Sequence, residues 1–263
     1  MGSMDATLYT ISAVVIVSLV SLIGVFALSL GTMLSRLMPA LVGLAAGALL
    51  GDAIIHLIPE SLEIIGDEAV FGVSVLVGLV AFFVLEKYLR WHHAHHGREE
   101  EHENHERFEH GPHAPNALIA PMVLVADGVH NMVDGAVIAA SFLVSPELGI
   151  ATTIAVFLHE IPQEIADYAL LVHSGLSRAR ALFFNFLSGL TALIGAGIVL
   201  ALQSSLGTLE GYLIAFTAGA FIYLAAADLV PELHKTTAAR RSIVQLFAVI
   251  LGIGLMLAMT LLE

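Results

Sequence analysis

The sequence predicts an all-α integral membrane protein with eight transmembrane helices. Its 263 residues are 58% hydrophobic and only 13% charged, and its mean hydropathy is +0.90. A soluble domain carries about 25% charged residues, so the charged residues of this chain cannot coat a soluble globule. Much of the surface must therefore face lipid, and we interpret residues 1–263 as one transmembrane domain.

Eight apolar runs are long enough to cross a bilayer, whose hydrocarbon core of about 30 Å needs roughly 20 helical residues. Span one is preceded by no basic segment and followed by no A-x-A cleavage pattern, so we interpret it as a retained span. The predicted spans, numbered one to eight, cover residues 8–30, 38–60, 69–89, 117–143, 149–172, 179–202, 211–231 and 242–262.

All ten Lys and Arg residues fall into connections on one side of an eight-span bundle. Arg36 follows span one, and the other nine follow spans three, five and seven. Cytoplasmic loops are the ones enriched in Lys and Arg. The distribution therefore predicts that both termini lie outside the cytoplasm, and the compact connections favour a bacterial inner membrane.

Charge and cysteine content exclude other classes of protein and site. The formal net charge of −13 argues against nucleic-acid binding, because ten Lys and Arg side chains among 23 acids cannot neutralise the phosphates of a nucleic acid. The absence of cysteine excludes disulfides and thiolate metal sites. The lipid bilayer is therefore a predicted partner, and a homodimer stays open.

The long connection between spans three and four is rich in His and Glu. From His92 to His113 it holds eight histidines and six glutamates. Neutral imidazoles in such tracts bind Zn²⁺ or similar ions weakly, and the same composition is typical of a solvated linker. We predict that residues 90–115 form a disordered cytoplasmic loop, with metal capture by the loop as an open alternative.

Spans four and five place polar residues where lipid makes them costly, and such residues usually mark an ion or substrate path. At 100° per residue, they share an arc of about 100° in span four and about 140° in span five. The nine residues are Asp127, His130, Asn131 and Asp134 in span four, and His159, Glu160, Gln163, Glu164 and Asp167 in span five.

Five of these nine residues are acids, and neither span contains a Lys or Arg to balance them. Divalent cations are the natural counter-charge, and carboxylates combined with imidazoles suit Zn²⁺, Fe²⁺ or Mn²⁺. A network of protonated acids and water, as in a proton relay, is the open alternative.

Two motifs resemble those of the ZIP (Zrt/Irt-like) divalent-metal transporters. They are His130-Asn131-x-x-Asp134-Gly135 and His159-Glu160-Ile161-Pro162-Gln163-Glu164. The resemblance extends over all eight spans and the outside termini, and it implies a centre for two transported metal ions. The implied ligands of the first metal are His130, Asp134, His159 and Gln163. Those implied for the second are Asn131, Glu160 and a bridging Asp134, and Glu164 adds to either site.

The chain departs from the pattern of that family at two places. Members with His-rich loops typically carry a second His where Gln163 stands, and an amide oxygen is a harder ligand, which makes Mn²⁺ and Fe²⁺ more plausible cargoes. Span six has no carboxylate between Leu182 and Leu200, so the second metal is expected to bind weakly. Asn185 and Ser188 on this span are interpreted as interhelical hydrogen-bonding residues.

Spans two and seven carry further polar residues. Each holds an Asp…Pro-Glu pattern, and the two helices run in opposite directions, which indicates an inverted repeat of spans one to three and six to eight in a 3+2+3 arrangement. Capping of helix ends is the open alternative. With Asp127 and Asp167, the predicted pathway comprises Asp52, His56 and Glu60 as an outer vestibule, and Asp228, Glu232 and His234 as an inner exit.

These features predict transport of divalent metal toward the cytoplasm, with Zn²⁺ first and Fe²⁺, Mn²⁺ or Cd²⁺ as further cargoes, and neither enzymatic activity nor a cofactor. The rival functions are an intramembrane metal-dependent hydrolase and a metal sensor without transport. His159-Glu160 opens like a His-Glu-x-x-His zinc helix, but Gln163 stands at its fifth position, so the hydrolase signature fails.

Overall fold

The computed structural model describes residues 3–103, 119–206, 209–235 and 238–261, and every element in these ranges is helical. The all-helical prediction is therefore confirmed over the described residues. Their α-helices are α1 (Ser3–Ser18), α2 (Gly24–Asp52), α3 (Ile58–Ile65), α4 (Glu68–Glu103), α5 (Ile119–Val144), α6 (Pro146–His173), α7 (Arg178–Gly189), α8 (Thr191–Leu206), α9 (Glu210–Leu224), α10 (Val230–His234) and α11 (Ala239–Met259).

Seven helical stretches among the described residues are long and apolar enough to cross a membrane. They correspond to every predicted span except the fifth, which is α6. That helix has 28 residues, or about 42 Å of length, so its length suffices. Its carboxylates at Glu147, Glu160, Glu164 and Asp167 make it less apolar than the others, and the count of eight spans stays a prediction.

Two helices are longer than the sequence predicts. α2 continues without a break through residues 31–37, where the sequence predicts a loop after span one. This segment holds Met, Leu and Arg, which are good helix formers, and only one glycine. α4 continues to Glu103, into the His/Glu-rich loop predicted for residues 90–115. Residues 104–118, which include the rest of that loop, lie outside the described residues, and the disorder of the loop stays a prediction.

Three helix pairs pack with their backbones in close contact, and glycines permit this approach. They are α2 with α11, α4 with α9, and α5 with α8. A Cβ atom added at Gly47 would collide with the Val249 backbone, and one at Gly219 would collide with the Val75 backbone. α5 and α6 also pack against each other, and α2 covers another side of α6. α5 and α6, which carry the two sequence motifs, are thus packed between the other helix pairs.

A five-residue π-helix interrupts each of the predicted spans two and seven. Ala53–Leu57 ends two residues before Pro59, and Ala225–Leu229 ends two residues before Pro231. π-Helices are rare and occur frequently at functional sites. The shared register places His56, rather than Asp52, at the position that corresponds to Asp228.

Candidate metal centre

Four side chains that suit a metal ion converge between α5 and α6. His130 and Asp134 are one turn apart on α5, and His159 and Glu160 are adjacent on α6. Asp134, His159 and Glu160 are buried, while the His130 side chain is 14% exposed. The amphipathic pattern of each span accounts for this meeting, because the polar face of one helix is packed against that of the other.

The distances within this group fit the coordination shell of a small cation. The two imidazole Nε2 atoms are 3.3 Å apart. Asp134 Oδ2 lies 3.6 Å from His130 Nε2 and 3.2 Å from His159 Nε2, and Glu160 Oε1 lies 3.7 Å and 3.5 Å from the same atoms. Ligands at 2.0–2.1 Å from a tetrahedral Zn²⁺ would lie about 3.3 Å apart. The four atoms are thus spaced as ligands of one ion.

The orientation of His159 is fixed from its other side. Its Nδ1 lies 3.2 Å from the carbonyl oxygen of Ala155. A carbonyl oxygen only accepts hydrogen bonds, so Nδ1 is the donor, and in the neutral imidazole Nε2 keeps a lone pair that faces the centre. The ring of Phe221 on α9 meets this imidazole edge-on with a centroid distance of 6.3 Å, which limits its movement.

Polar residues of α7 form hydrogen bonds with both α5 and α6. Asn185 donates to the Glu164 carboxylate on α6, and Ser188 donates to Asp127 Oδ2 on α5. The prediction that these two α7 residues form interhelical hydrogen bonds is confirmed. The Asn131 amide donates to Asp127 Oδ1 at 2.9 Å. The carboxylates of Asp127 and Glu164 are therefore engaged by protein donors.

Two cavities lie between α6 and the end of the bundle that carries Lys235 and Glu86, and one of them reaches the centre at His130. One has a volume of about 680 Å³ and is lined by His130 and Asp127. The other has a volume of about 650 Å³ and reaches Glu232 and Lys235. The residues that line both are Gln163, Asp167 and Asp228.

The opposite end of the bundle shows a different arrangement. Asp52 is fully buried, and its Oδ1 lies 3.3 Å from Nδ1 of His56. A separate cavity of about 500 Å³ is lined by His56, Glu60 and Glu63 together with the start of α6. None of the four residues at the candidate centre lines this cavity.

Most of the residues predicted for the pathway line one of these three cavities. The exceptions are His234, which is exposed at the end of α10, and Asp52, which is fully buried, and neither of them lines any of the three cavities. Sequence analysis missed Glu86, which lines the larger inner cavity and accepts a hydrogen bond from Tyr223. The signal was available, because Glu86 is an acid within the predicted apolar span three.

The comparisons with known proteins agree with the motifs. Residues 4–260 match the family model described as ZIP Zinc transporter. Zinc transporter zipt-7.1 of Caenorhabditis briggsae is 30% identical over 318 residues, which cover 100% of this chain and 81% of that protein. Zinc transporter ZIP13 of Pongo abelii is 31% identical over 92% of this chain and 76% of its own length.

A further relative matches about half of this chain, and its name refers to metal cations rather than to zinc. Metal cation symporter ZIP14 of Bos taurus is 35% identical over 150 residues, which cover 54% of this chain and 30% of that protein. The family model and the first of these relatives both cover α5 and α6, which hold the candidate centre.

Proposed function

This chain belongs to the ZIP zinc transporter family, and from that premise we propose that it moves Zn²⁺ toward the cytoplasm through the α5–α6 centre. Members of the family are metal transporters and not enzymes, so the hydrolase and sensor alternatives are unsupported. The observation that carries the proposal for this centre is the spacing of its ligand atoms. The two imidazole Nε2 atoms lie 3.3 Å apart, and Asp134 and Glu160 each place one oxygen 3.2–3.7 Å from both of them.

The proposed ligand set includes residues beyond that group. Gln163 adds a ligand to the first site, and Asn131 forms a second site with Glu160 and Asp134, whose carboxylates are then shared by the two ions. Glu164 adds to either site. The second ion is the more weakly held, because α7 and α8 supply no carboxylate to it. Fe²⁺ and Mn²⁺ are proposed further cargoes, since oxygen ligands favour harder ions than imidazole alone. Cd²⁺ is proposed as a further cargo because it shares the filled d shell and the charge of Zn²⁺.

The proposed pathway runs from the outer cavity to the two inner cavities. Asp52, His56 and Glu60 receive the ion, and its exit leads past Asp127, Asp167 and Asp228 and then Glu232 and His234. His130 lines a cavity that also contains Glu86 near the end of span three, which under the proposed topology supports a conformation open toward the cytoplasm. Alternating access would require the buried Asp52–His56 pair to separate.

The proposed topology has eight spans, including α6, with both termini outside the cytoplasm. The matching π-helices and prolines of spans two and seven support the inverted repeat and the 3+2+3 arrangement. A membrane potential that is negative inside favours entry of a dication by about 4.6 kcal/mol per 100 mV. Uptake in this orientation therefore needs no bound nucleotide. A homodimer in a bacterial inner membrane remains a prediction.

The direct test is flux into proteoliposomes made with the full chain. Zn²⁺, Cd²⁺, Mn²⁺ and Fe²⁺ are each supplied outside, and a chelating dye inside reports their entry. We expect saturable Zn²⁺ entry that an inside-negative K⁺ diffusion potential accelerates. Liposomes without protein serve as the control. Binding of metal without entry of any of the four ions would refute the proposed transport.

Gln163→His is expected to change the selectivity of this flux. Imidazole is a softer ligand than an amide oxygen and suits Zn²⁺ better than Mn²⁺. The ratio of Zn²⁺ to Mn²⁺ transport should rise by about 10-fold, which corresponds to about 1.4 kcal/mol of preferential binding. Competition between the two ions in one liposome preparation measures the ratio. An unchanged ratio would show that Gln163 does not contact the ion.

A further inference from the structure

The amide of Asn131 is held in one orientation by its neighbours. Its Nδ2 donates to Asp127 Oδ1 at 2.9 Å and to the Asp127 carbonyl oxygen at 3.2 Å. The reverse orientation would set the amide oxygen against two acceptors, since both a carboxylate and a carbonyl oxygen accept hydrogen bonds. The amide nitrogen must therefore face Asp127, and Oδ1 must face away from it.

The oxygen of this amide has a different environment. Asn131 is fully buried, and among the described residues no donor reaches its Oδ1 atom. A buried carbonyl oxygen without a donor is costly. A metal ion would supply the positive partner that the Asn131 oxygen lacks. The buried carboxylate oxygens of Glu160 on α6 likewise accept no hydrogen bond within the described part of the chain.

The Asp127 carboxylate is itself held by α7. The Ser188 hydroxyl donates to Oδ2, so Oδ1 is left for the Asn131 amide. Asp127 is 3% exposed, and the side chain of Gln163 on α6 also interacts with its carboxylate. The Ser188–Asp127–Asn131 chain of hydrogen bonds connects α7 to two α5 residues one turn apart, and sequence spacing alone does not relate Ser188 to them.

Building on the proposed two-metal centre, we propose that Asp127 is a positioning residue that turns the oxygen of Asn131 toward the second metal ion. Ser188 fixes the carboxylate for this task. Hydrogen-bond partners that orient metal ligands typically contribute 10–100-fold to metal affinity. Asp127→Asn should therefore weaken Zn²⁺ binding by about 10-fold or more, because an asparagine can accept or donate and leaves the Asn131 amide free to turn.

The decisive test is a double-mutant cycle with Asn131→Asp. A carboxylate at position 131 has two equivalent oxygens and needs no orientation, and it is repelled by Asp127. Asp127→Asn is then expected to leave Zn²⁺ affinity within about 3-fold or to tighten it, whereas it weakens affinity in the parent. Asp167→Asn is the matched control, because Asp167 lines the same inner cavity. Its effect should be the same in both backgrounds.

Zn²⁺ binding to the purified full-length chain in detergent is measured by calorimetry and by competition with a chelating dye. Weakening by more than about 3-fold in both backgrounds would overturn the proposal and make Asp127 a direct contact of the ion. No weakening in the parent would also overturn it. These binding data are independent of flux, so a protein that binds as expected but does not transport would refute only the proposed function.

A second cycle decides the question if Asn131→Asp abolishes binding. Ser188→Ala removes the donor to Asp127 Oδ2 and should weaken Zn²⁺ binding in the parent. It should have no further effect once Asp127→Asn has been introduced, because both substitutions remove the same positioning. Independent, multiplying effects of the two substitutions would overturn the proposal.

Discussion

Asp134→Ala is expected to reduce Zn²⁺ flux to the level of liposomes without protein. Asp134 Oδ2 contacts the Nε2 atoms of both His130 and His159, at 3.6 Å and 3.2 Å, so it is the carboxylate closest to the middle of the group. Removal of a residue that hydrogen-bonds a metal ligand lowers metal affinity or activity 10–100-fold, and removal of a ligand itself should lower it further. Proteoliposome flux measures the effect, and Asp5→Ala, at an exposed aspartate of α1, is the control that should retain full flux.

Thermal unfolding distinguishes a lost site from a lost fold in the same variant. Zn²⁺ at 100 times its Kd stabilises a one-site protein by about 2.7 kcal/mol. The parent and Asp5→Ala should show this shift in Tm, and Asp134→Ala should not. Without metal, Asp134→Ala should melt no earlier than the parent, because it removes a buried carboxylate. Full zinc stabilisation of the variant would contradict the assignment of Asp134 as a ligand.

The elements of the fold could be predicted well because lipid imposes a simple rule on sequence. Each membrane span must be an apolar helix of roughly 20 residues, so seven stretches were visible as apolar runs and were recovered as helices. α6 was also recovered, although its acids make it less apolar. The break predicted after span one was wrong, because residues 31–37 contain no signal strong enough to end a helix.

The candidate centre could be predicted because ionisable side chains within a membrane span are costly in free energy and therefore stand out from the apolar residues around them. Ionisable residues on one face of a buried helix can be read from spacing, and this brought the His and acid positions of α5 and α6 into view. The π-helices and the link from Ser188 to Asp127 could not be read in this way. Both depend on how a neighbouring helix approaches, which periodicity within a single span does not specify. Glu86 was missed because span three offers a single acid without a repeating pattern.

Gly195→Ala is expected to destabilise the α5–α8 pair strongly. A Cβ atom at Gly195 would collide with the Met132 carbonyl oxygen and approach the Ala136 backbone at 3.0 Å. Backbone cannot rotate away as a flexible side chain can, so the two helices must separate along their contact. Overpacking of this kind costs typically 1–3 kcal/mol and occasionally more, and we expect a loss of at least about 3 kcal/mol.

Gly197→Ala on the same helix provides the matched control. Nothing lies within 4 Å of a Cβ added at Gly197, and alanine is about 1 kcal/mol better than glycine in a helix interior. Its Tm in detergent should therefore equal or exceed that of the parent, while Gly195→Ala should lower the Tm and the monodisperse fraction. Because Met132 lies between the two α5 ligands His130 and Asp134, Gly195→Ala should also weaken Zn²⁺ binding. Equal Tm values for the two variants would show that α5 and α8 do not pack this closely in the membrane protein.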